Sequence, residues 1–271
     1  MRRLLPGCLC LLLGLTACAP GEPAKQKLIV TGSSTIAPLV AEMARRFESL
    51  NPQIQVDVQS GGSSRGIADV RKGIADIGMV SRDPGDDERD LQWYAIARDG
   101  IGIIVNRQND VTQIPKEQLR AVYTGTITDW NQVNGHQQQI TVVNKAEGRS
   151  TLDVFLKYFA LKNSDIKPHV IVGENQQGIK TVAGNTGAIG YVSIGSAESA
   201  ITEGVAIKLL PMNSVAASVL NVRSGSFPIA RSLHLVTRGK IEAISRRFIT
   251  FAQSDKVHDL IEAQYFVPLT R

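Results

Sequence analysis

Three times in this 271-residue chain a short apolar run ends in a cluster of Gly, Ser, Thr or Arg, and a helical pattern begins at once. Leu28-Ile29-Val30 leads into Gly32 to Thr35, after which Leu39, Val40, Met43, Phe47 and Leu50 recur at helical spacing until Asn51-Pro52. Ile54, Val56 and Val58 alternate with polar residues and lead into Gly61 to Gly66, with a helix expected through Val70. The third cluster, Gly148 to Thr151, follows Ile140 to Val143 and precedes Leu152, Phe155, Leu156 and Phe159 on one helical face. A fourth apolar run, Ala75 to Val80, ends in Ser81-Arg82. Strands alternating with helices predict parallel sheet and an α/β fold.

The remaining pattern fills this out. Ile101 to Val105, Val170 to Val172, Ala188 to Ile194 and Leu233 to Val236 are expected strands. Pro115 to Tyr123, Gly178 to Val182 and Ile241 to Ala252 are expected helices. Two lobes are expected, the first from 28–105 and 226–271 and the second from 106–225, with the late strand returning the chain to the first lobe. The chain is long enough to form both on hydrophobic burial alone.

A strand-to-helix junction rich in Gly and Ser has a defined chemistry. The first amides of a helix have no intrahelical partner, and the helix end carries roughly half a positive charge. Gly lets an anion approach the backbone, and hydroxyls add donors without bulk. Any one cluster alone is better explained as an N-cap, worth about 1 kcal/mol. Gly-Ser-Ser-Thr, Gly-Gly-Ser-Ser-Arg-Gly and Glu-Gly-Arg-Ser-Thr together are more than caps need. At the carboxyl ends of strands, they converge where open α/β sheets bind ligands.

The N-terminus points to export. Arg2 and Arg3 precede an apolar run from Leu4 to Leu15, too short to span a bilayer, and Leu15-Thr16-Ala17-Cys18 resembles a bacterial lipobox. Residues 1–18 are thus expected to be a lipoprotein signal ending in a lipid-bearing Cys18, and 19–27 a tether to the body. With Cys8 and Cys10 in the signal, the mature chain has no thiol left for a disulfide or metal. Loss of Arg2 and Arg3 takes the net charge from +5 to +3, which suits an anion but falls short of a nucleic-acid footprint.

The ordered set of motifs carries a resemblance. Gly32-Ser33-Ser34-Thr35, Gly61 to Ile67, Ala75 to Arg82 and Lys145 to Thr151, with Leu119 to Trp130, Gly187 to Ser193 and Phe227 to Arg231, span nearly all of the mature chain. They resemble the phosphate-binding proteins that feed bacterial phosphate ABC transporters. The resemblance implies a two-lobed type II periplasmic-binding-protein fold. Each lobe would be a mainly parallel sheet flanked by helices, with a two-stranded hinge. It implies a monomer, tethered to a membrane outside the cytoplasm, that hands inorganic phosphate or a similar oxyanion to a transporter permease. No cofactor, metal or enzymatic step is implied. The site residues it implies are Ser34, Thr35, the Ile36 amide, Ser63, Ser81, Lys145, Arg149, Ser150 and Thr151. Arg65 and Arg82 also flank the cleft, and with Lys145 and Arg149 they leave open a larger anion such as pyrophosphate, a phosphonate or a sugar phosphate.

Three departures qualify the resemblance. Gly148-Arg149-Ser150-Thr151 stands where the best-known members have Gly-Ser-Gly-Thr, and Lys145 stands for an arginine, a point charge for a planar fork. Ser81 replaces the aspartate that accepts the proton of hydrogen phosphate and so excludes sulfate, which leaves sulfate and molybdate open unless Asp83 bends inward. A hydrolase is the alternative from another class, because Gly62-Ser63-Ser64-Arg65-Gly66 matches G-x-S-x-G, with His234 or His258 as base. Only one strand lies upstream of the strand that leads into that motif, where a hydrolase needs several.

Overall fold

The structure, a computed structural model, describes residues 25–269. The expected signal, Cys18 and the tether up to residue 24 lie outside the described residues. No described helix is long and apolar enough to cross a membrane.

The chain opens with β1 (Gln26–Gly32), α1 (Ala37–Leu50), β2 (Ile54–Ser60), α2 (Ser63–Lys72) and β3 (Ile77–Val80). In this α/β unit β2 and β3 both pair parallel to β1. The 16-residue β4 (Leu91–Asn106) then carries the chain away. Beyond it come α3 (Lys116–Tyr123), β5 (Thr141–Lys145), α4 (Ser150–Phe159), β6 (Val170–Val172), α5 (Asn175–Ala183), β7 (Ala188–Ser193), α6 (Ile194–Thr202), β8 (Ile207–Leu210) and α7 (Val219–Arg223). The chain returns through β9 (Ala230–Arg238), α8 (Ala243–Ala252), α9 (His258–Ala263) and the short β10 (Val267–Pro268).

The strands form one curled mixed sheet in the order β2-β1-β3-β9-β4-β7-β5-β6. Its two ends are parallel, and its middle is antiparallel because β9 runs back between β3 and β4. At Gly100 and Ile101, β4 changes partner from β9 to β7. There the Ile101 amide donates to Ile229 O at 2.9 Å, so the outgoing and returning segments cross side by side as a two-stranded hinge.

Two cores flank that crossing. One gathers Leu28, Val30, Leu39, Met43 and Phe47 with Leu233, Leu235, Phe248 and Phe251. The other gathers Ile103, Val105, Tyr123 and Trp130 with Phe155, Phe159 and Tyr191. Phe155 lies stacked on Tyr191 with ring centroids 4.0 Å apart. The apolar face of α1 is thus spent on the first core and that of α4 on the second. Both helices are held by burial with their N-termini aimed at the crossing.

Candidate functional site

The loops after β1, β2 and β3 meet the starts of α4 and α5 around one small cavity of about 10 Å³. That is room for about one water-sized group, so the walls are close together. Ser34, Thr35, Ser63 and Ser81 line it from one side, and Arg149, Ser150, Thr151 and Asn175 from the other.

Backbone geometry brings the first two loops together. The amides of Gly61 and Gly62 both donate to Gly32 O, at 2.8 and 2.9 Å. Gly62 has φ of +99°, and a Cβ there would sit 2.9 Å from Gly148 O, so only glycine lets the loop before α4 approach. A Cβ on Gly66 would lie 2.8 Å from Thr31 O, so this glycine seats α2 against β1. The G-x-S-x-G pattern is therefore accounted for by close packing. Ser64 is exposed, and no histidine or carboxylate among the described residues hydrogen-bonds its hydroxyl. His234 is engaged with Arg82 O and the edge of Trp93, and His258 with Asp255.

The hydroxyls are already oriented. Thr35 Oγ1 accepts from Asn175 Nδ2 at 3.2 Å, Ser63 Oγ from the Ser81 amide at 3.3 Å, and Thr151 Oγ1 from Arg231 Nη1 at 3.0 Å. Ser81 Oγ accepts from Ser33 Oγ at 2.9 Å and Arg231 Nη1 at 3.4 Å. Each of these oxygens has an acceptor position filled by protein, which leaves its own proton to point into the cavity. Ser150 Oγ is buried without any partner. Four helix N-termini, of α1, α2, α4 and α5, add partial positive charge around the same point. No carboxylate lines the cavity among the described residues. The wall offers hydroxyl protons and no carboxylate, with acceptance left to the hydroxyl oxygens alone, which is the chemistry of an oxyanion site.

Not every expected residue reaches it. The Ile36 amide donates back to Ser33 O at 3.2 Å, and its side chain is fully buried in the first core. Arg82 turns away, forked onto Glu88 at 2.6 and 2.7 Å and facing Asp153 at 3.4 Å. It holds the Glu88 carboxyl below its ordinary range. A larger cavity of about 450 Å³ lies beside Arg82, Asp83 and Asp153, but the hydroxyls do not converge there. Arg65 binds Asp69, Ser60 O and Gln59 on the outer surface. Lys145 sits behind the cavity, its Nζ donating to Glu174 O at 2.9 Å and Asn175 Oδ1 at 3.3 Å. Of the four cations that seemed to flank the cleft, Arg149 alone lines it, and its Nη1 is paired with Glu174 at 3.0 Å.

Two positioning residues were missed. Arg231, 3% exposed, forks onto Asp99 at 2.7 and 3.1 Å and also holds Ser81 O and Thr151 Oγ1. It lay inside the Phe227 to Arg231 motif but follows no Gly/Ser cluster, and so carried no anion signal of its own. Asn175 begins α5 without Gly-Ser punctuation; Glu174 and Gln177 close a capping box around it, which was the available cue.

Comparison with known proteins bears on this geometry. The family model of the PBP superfamily domain matches residues 17–256. The chain belongs to the PBP superfamily. Among PBP superfamily relatives, phosphate-binding protein PstS of Bacillus subtilis is 29% identical over 254 residues, covering 92% of this chain and 83% of that protein. PstS of Borreliella burgdorferi is 28% identical over 250 residues, covering 88% of each. A Clostridium perfringens substrate-binding protein solved with bound phosphate superposes with a TM-score of 0.84 at 26% identity, over 90% of this chain and all of that one. An ABC-type phosphate transport receptor from Vibrio cholerae gives 0.75 at 28% identity, over 89% and all of the respective chains.

Proposed function

We propose that this PBP superfamily member captures inorganic phosphate outside the cytoplasm and hands it to an ABC transporter permease, tethered to a membrane by lipid on Cys18. The observation that carries the proposal is the carboxylate-free hydroxyl shell of Thr35, Ser63, Ser81, Ser150 and Thr151, built where relatives named for phosphate binding share the fold. A cavity this small has to open less for a single tetrahedral ion than for pyrophosphate or a sugar phosphate. No chemical step is assigned to the site on this reading. Calorimetric titration with phosphate, sulfate, molybdate, pyrophosphate and a phosphonate tests this. Tight phosphate binding is expected, and pyrophosphate binding more tightly than phosphate would overturn it.

The lobes in this proposal are 28–105 with 226–271, and 106–225. They meet across the cavity through Ser64 N to Gly148 O at 3.3 Å and Asn175 to Thr35 at 3.2 Å, so an ion enters only when they part. Small-angle scattering should show a smaller radius in saturating phosphate than without it. An unchanged radius would mean a preformed pocket.

Ser150 gives a clean variant. Its hydroxyl bonds to nothing among the described residues, so Ser150→Ala should melt no earlier than the parent. A hydrogen bond to a charged oxygen is worth about 1.5–3 kcal/mol, so phosphate affinity should fall roughly tenfold to a hundredfold. Unchanged affinity by calorimetry would remove Ser150 from the site.

A further inference from the structure

The charges around the cavity do not balance, and the imbalance lies at Lys145. Three buried or half-buried cations face one another there: Arg149 from the start of α4, Arg231 from β9, and Lys145 from the end of β5. Arg231 has Asp99 and Arg149 has Glu174, each within ion-pair distance. Lys145 is 3% exposed, and among the described residues its Nζ meets only neutral oxygens, the Glu174 carbonyl and the Asn175 amide. The other polar group packed against it is Tyr191 of β7, whose hydroxyl accepts from the Lys145 amide and whose own ionisation burial pushes up. A buried ammonium without a counterion is costly, and a neutral amine can make the same two hydrogen bonds.

We infer that anion capture is proton-coupled through Lys145: the neutral amine takes one proton from solvent as a doubly charged oxyanion enters, and the ammonium so formed holds Asn175 against Thr35. Lys145 is then a positioning residue that senses the ion through Asn175, whose Nδ2 reaches the cavity hydroxyl of Thr35. The inference rests on the phosphate-capture proposal above. Burial, and then the repulsion of Arg231 and Arg149, push Lys145 down to about 7 against the pull of Glu174, so the free protein loses this proton near neutrality. An entering dianion supplies the missing countercharge and restores it.

Two signs follow. The folded value lies below the ordinary lysine value of about 10.4, so the unfolded chain binds the extra proton between the two. The stability of the free protein should therefore rise with pH across that window, and phosphate should flatten the rise. Affinity should fall as pH climbs above about 7, by up to about tenfold per pH unit, because each capture must take a proton from solvent.

The test is phosphate calorimetry at alkaline pH in buffers of different ionisation enthalpy, on the parent, Lys145→Met and Lys145→Arg. Phosphate's own titration is common to all three. The parent should take up about one proton more than either variant, and Lys145→Arg, which is always charged and has the arginine of the resembled family, should bind with a flatter pH profile. Equal proton uptake in all three overturns the inference, as does a parallel pH profile in Lys145→Arg should Lys145→Met not fold. Phosphate binding to none of them overturns the phosphate proposal instead. A carbon-13 titration of Lys145 in the free protein reads the lysine separately. A midpoint near 7 is expected, and an ordinary one near 10.4 overturns the inference whatever the anion.

Discussion

Arg231→Met is expected to abolish phosphate binding and to lower the melting temperature by roughly 10 °C. Both ends of the Arg231–Asp99 pair are 1% exposed, and they meet at 2.7 Å. Removing one member of such a pair leaves the other charge buried without its partner, at a cost of about 3–5 kcal/mol. In a chain of this size about 1 kcal/mol moves the midpoint by roughly 2–4 °C. The Asp99 carboxylate keeps only Ser193 Oγ at 3.0 Å and the long contact from the Gly195 amide at 3.5 Å.

Binding should fail for a second reason. Arg231 Nη1 occupies an acceptor position of Thr151 Oγ1 and also holds Ser81 O, so it fixes the donors on both sides of the cavity at once. Without it those hydroxyls are free to turn and bond one another. The double variant Arg231→Met with Asp99→Leu separates the two effects: replacing a whole buried pair by apolar groups is often neutral or stabilising, so melting should recover while binding does not. A single variant that binds phosphate normally below its melting point would show that Arg231 only holds the fold.

What the sequence disclosed follows from where each signal was local. The helices after the Gly/Ser clusters were legible because apolar spacing and the punctuation before them agree, as in α1 with its buried Leu39, Val40, Met43 and Phe47. The first half of β4 was not legible. Its register shifts between Ala95 and Ala97, and such an irregularity breaks the alternation by which a strand is recognised. β9 was longer than expected because the polar Arg231, Ser232 and Thr237 flank its apolar run, although Arg231 and Thr237 are buried. At the site, the clusters located the hydroxyls but not their orientation, which depends on Arg231 and Asn175 arriving from distant segments. The cations misled for the same reason: Arg65 and Arg82 stand beside the motifs in sequence, but each has a nearby carboxylate that draws it away, Asp69 and Glu88.

Ser81→Asp should turn a site tolerant of sulfate into one that rejects it. In the parent, sulfate and phosphate should compete within about a factor of ten, because the wall holds hydroxyls and no carboxylate, and a hydroxyl can donate to a fully ionised anion or accept from hydrogen phosphate. Asp83, the alternative source of an acceptor, is exposed and lines the larger cavity beside Arg82, so Asp83→Asn should leave the ratio unchanged. A carboxylate at position 81 would stand in the wall next to Ser33 and Arg231, with Arg231 favouring its ionised form. It would accept the proton of hydrogen phosphate but face sulfate acceptor to acceptor, and discrimination built on such an unpaired group reaches roughly 10⁴-fold. The added volume in so tight a cavity could weaken every anion alike, and Ser81→Asn controls for that. The amide matches the carboxylate in size but can turn a donor to the ion, so it should lower both affinities and leave the ratio near that of the parent. Competition titrations on the four proteins decide the matter. Strong sulfate exclusion by the parent and by Asp83→Asn would mean that an acceptor other than these two faces the ion, and this account of selectivity would fall.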